Sequence, residues 1–167
     1  TDYMKPANHI FAIGDITETD IMHSIATLKP HKTPGYDDLS IDIIKALSEG
    51  LIAPLKYIFR KSVDNCYFPN DMKLGKVIPV YKSDETNKPC NYRPITILSA
   101  FSKILEKIVY SKLYSYLEDN QLFYLKQFGF RKKGSIESGI LDFTEKVTMA
   151  MQRKQYTVGV FLDLSKA

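Results

Sequence analysis

The sequence predicts a helix-rich α+β fold. Five segments place apolar residues at helical spacing, four of them behind a Ser or Thr in the capping position, whereas three short segments are rich in strand-forming residues. The 167-residue chain is 44% hydrophobic, which is enough to build one domain with a buried core, and it shows no internal repeat. We therefore expect one compact unit, with too few strands to close a sheet alone.

Two helices are predicted in the first 50 residues. Thr17 and Asp20 form a capping-box pattern that starts the first helix, which ends at Pro30. Ser40 caps the second helix, which continues to Gly50. The residues expected on its buried side are Ile43, Ile44 and Leu47.

A third helix follows directly, with Pro54 in its first turn, where proline is tolerated. Its apolar residues are Leu51, Leu55, Ile58, Phe59, Val63 and Cys66. Cys66 and Cys90 lack the spacing of a zinc site, and we interpret both as structural residues in a reducing compartment.

A hairpin is predicted next. Residues 76–82 are rich in strand formers, but Pro79 cannot donate to a ladder and places this strand at an edge or beside a bulge. The polar residues 83–88 form a loop tip, and 91–97 return as a short extended segment.

Two helices and a strand complete the chain. One helix extends from Ser99 to about Asn120, and another begins behind the cap Ser135, after an aromatic and basic loop at 123–133. Residues 156–162 are apolar on both faces, a pattern typical of a central strand in a covered sheet.

Asp163 follows that apolar strand. A carboxylate in such a place is costly unless an opposite charge or a metal holds it. Mg²⁺ is typically held by one or two carboxylates together with substrate phosphates, so Asp163 is a candidate metal ligand. The alternative is that Asp163 caps a following turn.

Cations at three places are candidate phosphate contacts. Lys82 and Arg93 flank the hairpin connection and can face one phosphate group together, although two solvent-facing cations are the alternative interpretation. Lys32 is the candidate in an upstream turn. In the loop before Ser135 the candidates are Arg131, Lys132 and Lys133, while Phe128 and Phe130 are interpreted as core anchors.

Charge is unevenly distributed. The chain carries +4 overall, but residues 1–50 hold four lysines and eight acidic residues, so the remainder carries +8. A basic body is a mild indication of a polyanionic partner, and ordinary solvated helix faces are the alternative. No apolar stretch approaches the roughly 20 residues that a membrane helix needs, so we expect no membrane partner.

Four segments, in this order, resemble motifs of the reverse transcriptases of non-LTR retrotransposons. They are KTPGYD at 32–37, KVIPVYK with NYRPITILS at 76–99, QFGFRKKGS at 127–135 and VFLDLSKA at 160–167. The resemblance implies the fingers and partial palm of a right-hand polymerase, truncated after the first palm strand. In a single partial domain, 1–30 would be an N-terminal helical extension, 31–155 the fingers and connecting palm helices, and 156–167 the first palm strand.

The resemblance also implies roles for the candidate residues. Asp163 would be catalytic and would bind metal with Leu164, while Lys82, Arg93 and Ala167 would contact the triphosphate of the incoming nucleotide. The candidates for nucleic-acid binding remain the cations of the two loops, Lys32, Arg131, Lys132 and Lys133.

The implied function is that of an RNA-directed DNA polymerase, which transfers deoxynucleotides to a primer 3′ end. Its partners would be an RNA template, a DNA primer and dNTP. Its cofactor would be Mg²⁺, with Mn²⁺ as an alternative, and its place of action intracellular and nuclear. The family's later Tyr-x-Asp-Asp turn is absent, because Asp37 and Asp38 precede the fingers. We therefore expect the 167 residues alone to be inactive. The alternative function is a non-catalytic nucleic-acid-binding module derived from such an element.

Overall fold

The structure is a computed structural model that describes residues 10–132 and 134–162. Within these ranges it contains six α-helices, one 3-10 turn and one two-stranded sheet. The elements are α1 (Glu18–Ala26), α2 (Ile41–Ala46), α3 (Ser48–Asp64), α4 (Asn70–Lys73), β1 (Gly75–Tyr81), a 3-10 turn (Pro89–Asn91), β2 (Tyr92–Leu98), α5 (Ala100–Asp119) and α6 (Ile136–Gln152). The helix-rich α+β prediction agrees with this content.

The chain divides into two packed units, whereas the sequence predicted one. The division falls between Asn120 and Gln121, so the first unit contains α1–α5 with the hairpin and the second contains α6. In the first unit, α1 packs against both α3 and α5. Phe59 and Ile104, each 0% exposed, lie in this core together with Ile21 of α1. The helix predicted within an N-terminal extension is therefore an integral part of the core.

The four helix starts that were predicted from a Ser or Thr cap are confirmed. The Thr17 hydroxyl accepts from the Asp20 amide at 3.1 Å, and the Asp20 carboxylate accepts from the Thr17 amide at 2.9 Å, which completes the capping box. The hydroxyls of Ser40, Ser99 and Ser135 each accept from the amide three residues on.

Two predictions about α2 were wrong. Ile43 and Leu47 are exposed, and the buried side is formed by Ile41 and Ile44. The helix is only six residues long, and Leu47 already lies at its C-terminal end, so the predicted face does not continue to Gly50.

The predicted start of the third helix, after Gly50, was also wrong. It begins at Ser48, so Pro54 lies in its interior instead of its first turn. Pro54 is on the exposed side, where water can satisfy the carbonyl that its missing N–H leaves without a donor. Cys66 lies beyond the helix end with φ +49°, and both cysteines are free and exposed, so neither packs in the core.

The predicted hairpin is confirmed. β1 pairs with β2 in antiparallel register, with Val80 opposite Arg93 and Pro79 opposite Pro94. The Lys82 amide donates to the Asn91 carbonyl at 2.8 Å, which extends the ladder by one pair. Since bonded and non-bonded pairs alternate in antiparallel ladders, the two prolines meet at a non-bonded pair, where no N–H is needed between the strands.

The terminal strand was not found. Residues 156–162 form no strand, and the apolar side chains expected to be buried there are exposed. An isolated strand cannot satisfy its own backbone groups and needs a neighbour to pair with. Among the described residues, no strand pairs with this segment. None of the described helices is long and apolar enough to cross a membrane.

Candidate functional site

The hairpin places Lys82 and Arg93 on one of its faces. Side chains alternate along a strand, and Tyr81 and Tyr92 form a directly opposite pair on the other face, with ring centroids 5.7 Å apart. Lys82 is therefore on the same side as Val80, whose partner across the ladder is Arg93. Diagonal neighbours of this kind lie about 7–8 Å apart, within the span of two long side chains. The predicted pairing of these cations is supported by the register.

Both cations are exposed at the free end of the hairpin. Within residues 10–132 and 134–162, no acidic side chain forms an ion pair with Lys82 or Arg93. In the connecting loop, the carboxylate of Glu85 is paired with the ammonium group of Lys88 at 3.0 Å. The face can thus offer two positive charges to an anion.

The connection between the strands is held by side chains from the strand ends. The Asn91 amide group donates to the Glu85 carbonyl at 2.7 Å, and the Tyr92 hydroxyl donates to the Thr86 carbonyl at 2.8 Å. The Tyr81 hydroxyl donates to the Asp84 carbonyl. Sequence reasoning missed these contacts, because they became visible only once the strand register was known.

The base of the hairpin is fixed by two buried serines. The hydroxyls of Ser99 and Ser102 lie 2.9 Å apart, and Ser102 donates to the Met72 carbonyl at 2.6 Å. Met72 precedes β1 and Ser99 follows β2, so this link joins the two ends of the hairpin.

The upstream turn at 32–37 packs against the same base. A Cβ on Gly35 would lie 2.8 Å from the Cα of Ser99, so only glycine allows this close approach. Partial burial and the carboxylates of Asp71 and Asp37 raise the pKa of Tyr36 above its ordinary value. Lys32 is exposed in this turn. Ser99, which Gly35 approaches, lies about 20 Å along the chain from Arg93, at roughly 3.3 Å per residue.

The second basic segment belongs to the unit that begins at Gln121. The Arg131 guanidinium lies over the Phe123 ring at 4.9 Å, and Lys132 is exposed. Lys133 lies outside the described residues. Gly134 allows the loop to fold back, because a Cβ there would meet the Phe128 carbonyl oxygen at 2.4 Å.

The interpretation of both phenylalanines as core anchors was half right. The Phe128 ring packs against Gly139 of α6 and is partly buried. Phe130 is fully exposed and has a positive φ of +60°. A left-handed conformation is uncommon for a bulky residue.

The predicted metal and catalytic positions Asp163 and Leu164, and the predicted triphosphate contact Ala167, lie outside the described residues. Among the residues that the structure describes, no group of three or more His, Cys, Asp or Glu side chains is arranged to hold a metal ion. Asp37 accepts a hydrogen bond from the Leu39 amide at 3.3 Å and so stabilises its own turn.

A shallow groove of about 470 Å³ lies on the first unit, away from the hairpin cations. Lys112 lines it and donates to the Asp15 carbonyl at 2.9 Å, with Asp20 at 3.3 Å. Partial burial acts to raise the pKa of Asp20, but hydrogen bonds from Thr17 and the charge of Lys112 lower it overall. These contacts join α1 to α5, so we assign them a structural role.

Comparison with known proteins shows a consistent set of relatives. Residues 80–167 match the family described as reverse transcriptase (RNA-dependent DNA polymerase). The probable RNA-directed DNA polymerase from transposon BS of Drosophila melanogaster is 28% identical over 163 residues, which cover 97% of this chain and 18% of that protein. The RNA-directed DNA polymerase from mobile element jockey of the same species is 29% identical over 168 residues, covering 99% of this chain and 18% of that protein.

A third relative is a putative 115 kDa protein in the type-1 retrotransposable element R1DM of Drosophila melanogaster. It is 29% identical over 145 residues, which cover 86% of this chain and 14% of that protein. The chain thus spans less than a fifth of the length of these relatives. The family match covers more than half of the chain and includes β2 and part of the hairpin face that carries Lys82 and Arg93. The chain belongs to the reverse transcriptase family.

Proposed function

We propose that the chain supplies the fingers and the beginning of the palm of an RNA-directed DNA polymerase from a non-LTR retrotransposon. The polymerase adds deoxynucleotides to a primer 3′ end on an RNA template. The observation that carries this proposal is that Lys82 and Arg93 share one face of the hairpin at its free end, beside the loop. On this proposal, the hairpin binds the triphosphate of the incoming nucleotide.

The two cations suit a triphosphate for different reasons. Arg93 offers a planar fork of donors that matches two phosphate oxygens, whereas Lys82 offers a point charge. Pro94 restricts Arg93 to an extended backbone, which fixes the direction in which the fork leaves the strand. Phosphoryl transfer depends mainly on positioning and on fixed positive charge, and these residues supply both.

Reverse transcriptases use divalent metal ions, and we expect Mg²⁺, with Mn²⁺ as a substitute, at Asp163 and Leu164. A bound ion of this kind stabilises charge on the attacking and leaving oxygens. Ala167 is expected beside the triphosphate. The proposed contacts to the template and primer are Lys32, Arg131, Lys132 and Lys133. Action in the nucleus stays a prediction.

Steady-state kinetics of a polymerase that contains this chain would test the role of the hairpin. A charge-assisted hydrogen bond contributes about 1.5–3 kcal/mol, so Arg93→Ala should lower kcat/KM for nucleotide by about ten- to a hundredfold. Arg93→Lys should recover part of the loss, because it restores the charge without the fork. Lys76→Ala is the matched control. Lys76 is a cation on the same face of β1, about 20 Å from Lys82, and its removal should change kcat/KM less than twofold.

One outcome would favour the alternative function. If Arg93→Ala left the nucleotide kinetics within twofold of the parent and weakened binding to template RNA instead, Arg93 would contact nucleic acid. The hairpin would then belong to a nucleic-acid-binding surface.

A further inference from the structure

The tip of the hairpin is held by side-chain hydrogen bonds to its backbone. Three consecutive carbonyls, those of Asp84, Glu85 and Thr86, each accept a hydrogen bond from a side chain at a strand end. The donors are Tyr81, Asn91 and Tyr92. A loop of this size would otherwise sample many conformations, because its residues are polar and exposed.

The donors and the cations occupy interleaved positions on the same two strand ends. Tyr81 directly precedes Lys82, and Tyr92 directly precedes Arg93. The tyrosine rings are on the opposite face, with their centroids 5.7 Å apart, so they leave the cationic face open. The strand ends that carry the cations are thus the same ones that anchor the loop.

Further contacts reduce the freedom of the loop itself. The Lys88 amide donates to the Glu85 carbonyl at 3.3 Å, and the Asn91 amide donates to the Lys88 carbonyl at 3.1 Å. The carboxylate of Glu85 is held by its ion pair with Lys88. Among the described residues, Lys82 has no acidic partner.

We infer that Tyr81, Asn91 and Tyr92 are positioning residues for nucleotide binding. They hold the loop so that Lys82 and Arg93 keep a constant spacing before the triphosphate arrives. A pre-formed site avoids the entropic cost of ordering two long side chains and a loop at the moment of binding. This inference rests on the proposed function of the hairpin and adds the residues that organise it.

Hydrogen exchange on the 167-residue chain would test whether the tyrosine hydroxyl holds the loop. Tyr92→Phe removes one donor and keeps the ring. The loss of one net hydrogen bond should speed exchange at the Lys88 and Asn91 amides by about two- to tenfold, without changing the global unfolding midpoint. Tyr57→Phe is the control, because Tyr57 is an exposed tyrosine on α3 whose hydroxyl has no such role. Unchanged exchange in Tyr92→Phe would overturn the inference.

The second measurement is nucleotide kinetics in a polymerase that contains the chain. Tyr92→Phe should raise KM for dNTP by about two- to tenfold, with template affinity unchanged, and the double variant Tyr81→Phe/Tyr92→Phe should raise it further. If Arg93→Ala impairs nucleotide use and both tyrosine variants do not, the positioning role is wrong and the proposed function stands. If Arg93→Ala is also without effect, the proposed function itself fails.

Discussion

The two units of the chain use the same kind of helix in opposite ways. Both α1 and α6 begin behind a hydroxyl cap and carry apolar residues along one side. In the first unit, α1 buries Ile21 and Ile25 against its neighbours, whereas none of the described side chains of α6 is fully buried. An amphipathic pattern therefore identifies the side of a helix that needs a partner, but not whether the chain contains that partner.

In the described part of the second unit, ion pairs and close approaches at two glycines hold the loop that follows Asn120 on α6. Asp142 accepts from Lys126 and, at 2.7 Å, from Lys146 on the same helix. Gly134 and Gly139 allow the preceding loop to approach α6 through Phe128. Such contacts fix a loop on a helix without removing much apolar surface from water, so we expect this unit to contribute little to the unfolding free energy.

Truncating one phenylalanine in each unit gives the largest expected difference. Phe59→Ala removes a ring that is 0% exposed and should lower the free energy of unfolding by about 3–5 kcal/mol. Phe143→Ala removes a ring that is 46% exposed and should cost less than about 1 kcal/mol. Urea unfolding of the 167-residue chain would measure both. Equal losses would show that α6 is covered in solution and that the contrast between the units is wrong.

Two glycine substitutions in loops should change stability by smaller amounts and in opposite directions. Gly35→Ala places a methyl group 2.8 Å from backbone atoms of Ser99, and overpacking of this kind should cost about 1–3 kcal/mol. Gly129→Ala meets nothing within 4 Å and should be neutral or stabilising by up to about 1 kcal/mol. Thermal unfolding of the two variants would show the difference. A fully stable Gly35→Ala would mean that the upstream turn does not rest on the hairpin base.

Acid sensitivity should be the smallest effect, and it should differ between the units. Folding lowers the pKa of Asp20, and hydrogen bonds from Lys126 and Lys146 lower that of Asp142. Each ionised carboxylate therefore stabilises its unit above the ordinary pKa of about 4, and this contribution is lost as the pH falls through the lowered native value.

Two Asp→Asn variants separate these contributions. Asp20→Asn should flatten the pH dependence of global unfolding in the acid range, because Asp20 joins α1 to Lys112 of α5. Asp142→Asn should leave global unfolding unchanged and flatten only the pH dependence of hydrogen exchange in α6. A change in global unfolding by Asp142→Asn would show that the two units unfold together.

Local signals in the sequence predicted much of the fold. The caps Thr17, Ser99 and Ser135 marked helix starts correctly, since each cap depends on residues within one turn. The predicted strand at 156–162 depended on neighbouring strands, and no local pattern reports whether these are present. The exposure of Phe130 was missed because hydrophobicity alone does not report the left-handed turn conformation that this residue adopts.

The candidate site was predictable at the level of charge but not of geometry. Lys82 and Arg93 were identified because they flank a short connection, and the register supports their pairing on one face. The supporting role of Tyr81 and Tyr92 depends on which residues lie opposite each other, and two prolines obscured the expected ladder. The sum of the paired residue numbers is constant in a regular antiparallel hairpin, so assigning that register from sequence would have revealed the tyrosine pair.

The facing prolines also determine how the hairpin can meet other molecules. At a non-bonded pair the backbone groups of both residues point outward, so Pro79 and Pro94 remove a donor from the middle of each outer edge. A third strand cannot form an uninterrupted ladder along either side, which protects a narrow exposed ribbon from edge-to-edge aggregation. Its two faces remain open, one aromatic and one cationic, and they offer a ligand or partner the larger uninterrupted surfaces of the hairpin.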